Sequence, residues 1–180
     1  MSTVVARVDD HPSFWREIVT PDYEETVSKI DDLRRAFHCA ISLFHLCDWI
    51  YVAHKAFIDA TFTFKDKTGA AQPVSDEKTF ANALRDLNPD FELIRGIANS
   101  AKHLALRNKG PHPAAPNSAA NTRVQATGFG EGGYGKGPWG GSPRVMLEGP
   151  LGQDLEFSDI AKSVYEMWKT LSQQYNWNLA

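Results

Sequence analysis

Four polar side chains recur along one apolar stretch of the chain. The hydrophobic run at residues 36–53 is interrupted at spacings of four, three and three by His38, Ser42, His45 and Asp48. These spacings place all four side chains on one stripe of a helix. A carboxylate next to an imidazole favours its charged form and fixes its tautomer, as general acid–base catalysis requires. His45 and Asp48 are therefore candidate catalytic residues.

A second polar stripe lies on a later, alanine-containing helical stretch. Its members are Glu92, Arg95, Asn99, Lys102 and His103. Buried polar groups need partners, so we expect the two stripes to face each other in the folded chain. Asp48 would then pair with Arg95 or Lys102, and His45 would lie within reach of His103. The alternative is a satisfied polar network between packed helices, without any chemistry.

The same residues also suggest a weaker candidate, a metal site. His45 and Asp48 are three residues apart on one helix, and with His103 they would form a mononuclear site with an open position. The sequence contains no Glu-x-x-His pair and no His-Glu-x-x-His motif that would strengthen this hypothesis. We therefore expect no metal or other cofactor, and a metal-dependent hydrolase is kept only as an alternative.

Helical spacing positions the first stripe. Residues 1–20 read as a polar lead-in, whereas apolar residues recur every three to four positions from Tyr23 to Phe44. A single helix over residues 22–59 would be about 57 Å long, while a compact domain of this size has a radius of gyration of about 16 Å. The helix therefore either breaks near Asp31 or Asp32, or protrudes and meets a partner. We expect a homodimer formed through it.

Further elements follow along the chain. Helices are predicted over residues 75–87 and 90–107, and again at the end of the sequence. Glycine and proline concentrate in between, where a short strand at 122–127 and a hairpin over 144–157 are predicted.

Together these elements predict an all-α fold, a bundle of about four main helices with a small β-hairpin insertion before the last helix. We expect a single domain over residues 1–180. Its parts are a helical core at 22–107, a glycine- and proline-rich insert at 108–157, and a C-terminal helix at 158–176.

The charge distribution is uneven. The whole chain has 19 basic and 22 acidic residues, a net charge of -3, which argues against a polybasic nucleic-acid coat. Residues 93–147, however, contain seven basic residues and one acidic residue, a net +6, so the rest carries -9. This polarity indicates either an anionic ligand or a basic segment that packs against the acidic first helix.

Several features indicate a cytoplasmic location. The N-terminal residues lack the apolar region of a secretory signal. Cys39 and Cys47 are eight residues apart, about 12 Å along a helix, which is too far for a disulfide. Two histidines and Asp48 interrupt the most apolar stretch, which argues against a membrane span. We expect no association with a membrane.

The residues from Arg95 to His103, Arg-Gly-Ile-Ala-Asn-Ser-Ala-Lys-His, resemble the signature helix of HEPN domains. These are small α-helical bundles, often dimeric, from toxin–antitoxin and phage-defence systems, and many are metal-independent ribonucleases. The family motif places fewer residues between its Arg and His than the seven found here. The resemblance covers residues 22–107 and the last helix. It implies that Arg95 stabilises a phosphate, that His103 is the acid or base for 2′-hydroxyl attack, and that Asn99 and Lys102 orient the phosphate.

The leading functional prediction is therefore a HEPN-like RNA-interacting protein, with ribonuclease activity in a bacterial defence or toxin system. One alternative is a non-catalytic interaction module that binds a protein partner through its glycine-rich segment at 128–143. The other alternative is the metal-dependent hydrolase that uses His45, Asp48 and His103. The predicted partners are RNA or another anionic ligand, a second copy of the chain, or a different protein.

Overall fold

The computed structural model describes residues 7–101, 118–127, 141–149 and 152–179. The helices in these ranges are α1 (His11–Phe14), α2 (Thr20–Ser28), α3 (Leu33–Thr61), α4 (Glu77–Leu87), α5 (Asp90–Ser100) and α6 (Phe157–Tyr175). The strands are β1 (Thr63–Lys65), β2 (Ala71–Pro73), β3 (Thr122–Thr127), β4 (Gly141–Glu148) and β5 (Asp154–Glu156). A π-helical turn (Trp15–Val19) joins α1 to α2, and a 3₁₀ turn (Ala119–Asn121) precedes β3.

The prediction of an all-α bundle is wrong, because the strands form two antiparallel sheets and make the fold α+β. One sheet is the β1–β2 hairpin, for which the sequence analysis predicts no strands. Its strands are three residues long, too short for alternation to be recognised. The turn is held instead by Asp66, whose carboxylate accepts hydrogen bonds from the backbone of Thr68 and Ala70.

The second sheet has the order β3–β4–β5. It contains the strand and the hairpin that the sequence predicts, but β3 also pairs with β4, so that Val124 lies opposite Val145. Val145 and Leu147 are buried and direct one face of β4 toward the helices. The backbone N–H of Val145 donates to the carbonyl of Ile30 at 2.8 Å, which attaches the sheet to the connection between α2 and α3.

The long helix predicted over residues 22–59 breaks, which was one of the two alternatives. Residues 29–32 separate α2 from α3, and Asp32 caps α3 by accepting a hydrogen bond from the backbone N–H of Arg35 at 3.1 Å. This bond lowers the pKa of Asp32. A carboxylate at a helix N-terminus satisfies backbone donors that would otherwise lack partners, so the break is stabilised locally.

Residues 1–20 were expected to be a polar lead-in, yet α1 begins at His11. The cause is a capping box, in which Asp10 accepts from the backbone of Ser13 at 2.8 Å and the Ser13 hydroxyl accepts from the backbone of Asp10 at 3.1 Å. Pro12 occupies the first turn, where its missing N–H does no harm. A helix of four residues is too short to show a repeat of apolar residues, so the sequence does not predict α1.

The core lies where α3, α5 and α6 pack together. The ring of Phe91 on α5 lies 6.1 Å from the ring of Phe44 on α3 and 6.1 Å from that of Trp168 on α6. Trp168 is fully buried and donates its indole N–H to the carbonyl of Leu43 at 3.1 Å. These contacts bring the helix with the first polar stripe directly against the helix with the second.

α3 is also long and apolar enough to cross a membrane by length and composition, with a mean hydropathy of 1.3 in its most apolar 18-residue window. Half of that window is buried inside the fold. The buried core helix of a water-soluble protein passes the same test. The expected cytoplasmic location remains a prediction.

Candidate functional site

The candidate site begins with a histidine–aspartate pair on α3. His45 Nδ1 lies 3.2 Å from Asp48 Oδ2, and the two side chains are 31% and 47% exposed. Because a carboxylate accepts hydrogen bonds, the contact places the imidazole proton on Nδ1 and leaves the lone pair of Nε2 available. No described residue bonds to Nε2, so the pair presents an oriented base at the surface of α3.

The other two members of the first stripe lie in a different environment. His38 is exposed, and Ser42 is buried and donates to the carbonyl of Cys39 at 3.1 Å. Both act on Asp22 of α2. Burial raises the pKa of Asp22, while the nearby Ser42 hydroxyl and the charge of His38 oppose that rise. The first polar stripe therefore has two parts. His38 and Ser42 lie near Asp22 of α2, and His45 and Asp48 pair with each other.

The expected ion pair between Asp48 and Arg95 is not formed. Arg95 pairs instead with Glu92 at 2.7 Å and donates to the side chain of Asn82 at 3.0 Å. Glu92 stands one helical turn earlier on α5 and is only 7% exposed, so the guanidinium compensates a carboxylate that burial would otherwise strongly disfavour. Arg95 thus already has an anionic partner inside the protein.

The remaining residues of the second stripe lie at the end of α5. Asn99 is half-buried, and its side chain makes no hydrogen bond with any other described residue. Lys102 and His103 lie outside the described residues, so the expected approach of His103 to His45 stays a prediction. α5 as described ends at Ser100, just before them.

Both cysteines lie on α3 and are buried free thiols. Burial raises the pKa of the Cys39 thiol to about 12 and that of Cys47 well above its ordinary value. Cys47 contacts the carbonyl of Glu77 and lies within electrostatic range of Arg95, which places the middle of α3 beside α5. Neither thiol is a nucleophile at neutral pH, because the thiolate is the reactive form.

The structure gives no support to a metal centre in the part of the chain that it describes. Within those ranges, no three His, Cys, Asp or Glu side chains are grouped to hold an ion. His45 and Asp48 supply two of the three ligands of the hypothesis, and the third, His103, falls outside the described residues. Two ligands are fewer than the three protein ligands typical of catalytic zinc.

The sequence analysis missed two features. One is an open groove of about 560 Å³ beside the connection between α2 and α3, lined by residues of both charges and by Val124. None of the predicted site residues lines this groove. The other is a contact between His11 and His54, which are 43 residues apart in sequence. Nothing in the local sequence pattern connects them, since only the tertiary fold brings α1 to the kink of α3.

No family model, no curated protein and no solved structure matches this chain. The similarity to HEPN domains therefore depends on the residues from Arg95 to His103 alone.

Proposed function

We propose that this chain is a HEPN-like RNA-interacting protein that cleaves RNA without a metal ion. The observation that carries the proposal is the half-exposed His45–Asp48 pair on α3. α3 packs directly against α5, the helix that leads into the Arg-to-His segment. An imidazole oriented by a carboxylate is the group that a metal-independent ribonuclease needs.

In this proposal His45 takes the proton of a ribose 2′-hydroxyl on Nε2, since Asp48 holds the proton on Nδ1. The 2′-oxygen then forms a bond to the adjacent phosphorus while the bond from phosphorus to the 5′-oxygen breaks. His103 gives the leaving 5′-oxygen its proton. The products are a 2′,3′-cyclic phosphate and a 5′-hydroxyl, so protons and charge balance without a metal.

The role of Arg95 in this proposal differs from the one that the resemblance implies. Because Glu92 and Asn82 already engage its guanidinium, Arg95 holds α5 in place rather than binding the phosphate. Asn99 and Lys102 would then contact the phosphate. The net charge of +6 over residues 93–147 of the sequence is compatible with an anionic ligand, although the described Arg95, Arg123 and Arg144 each pair with a carboxylate.

The test compares cleavage of single-stranded RNA, in EDTA, by the purified wild type, His45→Ala, His103→Ala and His38→Ala. His38→Ala is the matched control, because His38 is an exposed histidine on the same helix without a hydrogen-bonded carboxylate. We expect roughly 100-fold or greater loss in the first two variants, the usual contribution of one general acid or base. Absence of cleavage by the wild type, or full activity in His45→Ala, would contradict the proposal.

A second candidate function, an interaction module, is favoured by one observation. Val52 and Phe57 in the second half of α3 are 72% and 42% exposed. Exposed apolar residues grouped on one helix are typical of association surfaces. The proposed partner is a second copy of this chain, bound along the second half of α3.

A further inference from the structure

An imidazole pair connects three separate parts of the described chain. The Nε2 atoms of His11 on α1 and His54 on α3 are 3.3 Å apart, and the two rings meet edge to face at 4.8 Å. His11 Nε2 also lies 2.8 Å from the backbone carbonyl of Trp177, beyond α6. The indole of Trp177 stacks on the ring of His54 at 5.8 Å. One pair of rings thus joins α1, α3 and the segment after α6.

The hydrogen-bond chemistry fixes where the protons are. A carbonyl oxygen only accepts, so His11 Nε2 must carry the proton that it shares with Trp177. His54 Nε2 then has to be the unprotonated acceptor facing that same N–H. His11 can take a second proton on Nδ1 without disturbing this arrangement. A proton on His54 Nε2 would instead point two N–H groups at each other.

The backbone has unusual conformations on both sides of the contact, at His54 in α3 and in the residues after α6. His54 interrupts α3 with φ -124° and ψ 25°, a kink that the apolar pattern does not explain. Residues 176–179 turn back on α6, and Asn176 and Asn178 adopt left-handed φ values of 56° and 55°. Asparagine accepts this conformation better than most residues. The turn buries Trp177 and Leu179. Besides the contact with His11, Ser172 of α6 holds it by accepting hydrogen bonds from the backbone N–H groups of Trp177 and Leu179.

The charged groups nearby offer little compensation for a protonated His54. α1 presents His11 and Asp10, and the Asp10 carboxylate is already bound to the Ser13 backbone. α3 presents Lys55, which is paired with Asp59 at 2.6 Å. At the end of α6, the ring of Tyr175 packs on Trp177 at 5.4 Å. Burial, together with the charge of His11, lowers the pKa of His54 below its ordinary value of 6.5.

We propose that His11 and His54 form a pH-sensitive clasp that fastens residues 176–179 to the helices at neutral pH and releases them on acidification. Protonation of His54 on Nε2 removes the only acceptor position it offers to His11. Release would uncover Trp177 and the aromatic rings packed with it, Phe62 and Tyr175. The clasp is independent of the proposed ribonuclease site, since it shares no residue with it.

The test is an NMR titration of the full chain between pH 7.5 and 5, which follows the Trp177 indole N–H signal. We expect this signal to move to an exposed position as the pH falls below 6.5, with helical content unchanged. Because one proton is linked to opening, the open population rises at most tenfold per pH unit. His54→Gln should abolish the pH dependence, whereas His38→Gln, an exposed histidine on the same helix, should titrate like the wild type.

The imidazole ¹⁵N shifts of the wild type provide a second readout that needs no variant. The clasp requires His54 to carry its proton on Nδ1 at pH 7.5, so the opposite tautomer would overturn the proposal. It would also be overturned if Trp177 stays buried down to pH 5, or if the transition persists in His54→Gln. A signal that changes on addition of zinc and reverts with EDTA would assign the pair to a metal ion instead.

Discussion

At the scale of residues, burial decides which charged groups are free to act on a ligand. Glu92–Arg95 and His45–Asp48 are both pairs of side chains three residues apart on a helix. The first pair is largely buried and must remain together, because each charge would be costly alone. The second pair is partly exposed, so water or a ligand reaches the imidazole. Similar spacing in sequence therefore gives a structural pair in one helix and a reactive pair in the other.

The first prediction concerns the buried pair. Glu92→Ala leaves the guanidinium of Arg95 without its carboxylate, and we expect a loss of about 3 kcal/mol in the free energy of unfolding. Urea denaturation measures it. Glu166→Ala, which removes the exposed partner of Lys169, is the control and should cost less than about 1 kcal/mol. An equally small loss for Glu92→Ala would show that Arg95 is free for a phosphate.

The second prediction concerns the two thiols. Because burial raises the pKa of Cys39 and of Cys47, we expect neither to react with a thiol reagent in the folded protein at pH 7.5. Both should react promptly in denaturant, which serves as the internal control. Rapid labelling of the native protein, quantified by absorbance, would be inconsistent with this placement of α3.

At the scale of elements, short-range capping decides where the helices begin. Asp10, Asp32 and Asp76 each accept a hydrogen bond from the backbone three residues later, at the starts of α1, α3 and α4. The helix predicted from residue 75 begins at Glu77, because Asp76 is its N-cap and forms a capping box with Thr79. Caps therefore divide a long helical pattern into separate elements.

The third prediction tests one of these caps. Asp76→Ala should lower the free energy of unfolding by about 1 kcal/mol, because the backbone N–H of Thr79 in the first turn of α4 loses its carboxylate acceptor. Asp76→Asn retains an acceptor and should lose distinctly less. Thermal and urea denaturation of both variants give the comparison. Equal stability of Asp76→Ala and wild type would exclude a role for this cap.

The fourth prediction tests the second half of α3 as a dimer surface. Val52→Glu places a charge on its most exposed apolar residue and should convert a dimer to a monomer in light scattering coupled to gel filtration. Val27→Glu changes an exposed valine on α2, 43% accessible, and should leave the dimer unchanged. A wild-type chain that is monomeric at high micromolar concentration would refute the dimer.

At the scale of the whole molecule, the carboxylates set the response to acid. The pKa values of Asp10, Asp32, Asp59 and Asp76 are lowered, and that of Asp66 falls to about 2, because each accepts hydrogen bonds in the folded state. A lowered folded-state pKa means that the unfolded chain binds more protons in acid. The stability from these groups is complete above their ordinary value and is lost below it.

The fifth prediction follows from this linkage. We expect the melting temperature to fall steeply between pH 4 and pH 2, the window between the ordinary pKa of Asp and that of Asp66. Differential scanning calorimetry across this range measures it. Asp66→Asn should show a shallower fall, since it removes the group with the lowest value. Burial raises the pKa of Asp22, which opposes the trend only weakly.

The elements that could be predicted from the sequence are those marked by a regular spacing of apolar residues or by glycine, proline and capping residues at their ends. The strand at 122–127 is confirmed, and the structure selects the break between α2 and α3 from the two alternatives that the sequence left open. α1 and the β1–β2 hairpin were missed, because a single turn of helix and three-residue strands carry too few residues for a period. The residues of the His45–Asp48 pair were identified correctly as neighbours, since a helix fixes the distance between positions three apart.

The sequence alone thus determined the positions of the longer helices and which residues share a helical face, because these depend on interactions within a few residues. Only the tertiary structure decided that Arg95 belongs to Glu92, that the strands make the fold α+β, and that His11 meets His54. These outcomes depend on which elements pack against each other and how much water each side chain loses, and neither quantity is encoded in the spacing of residues along one helix.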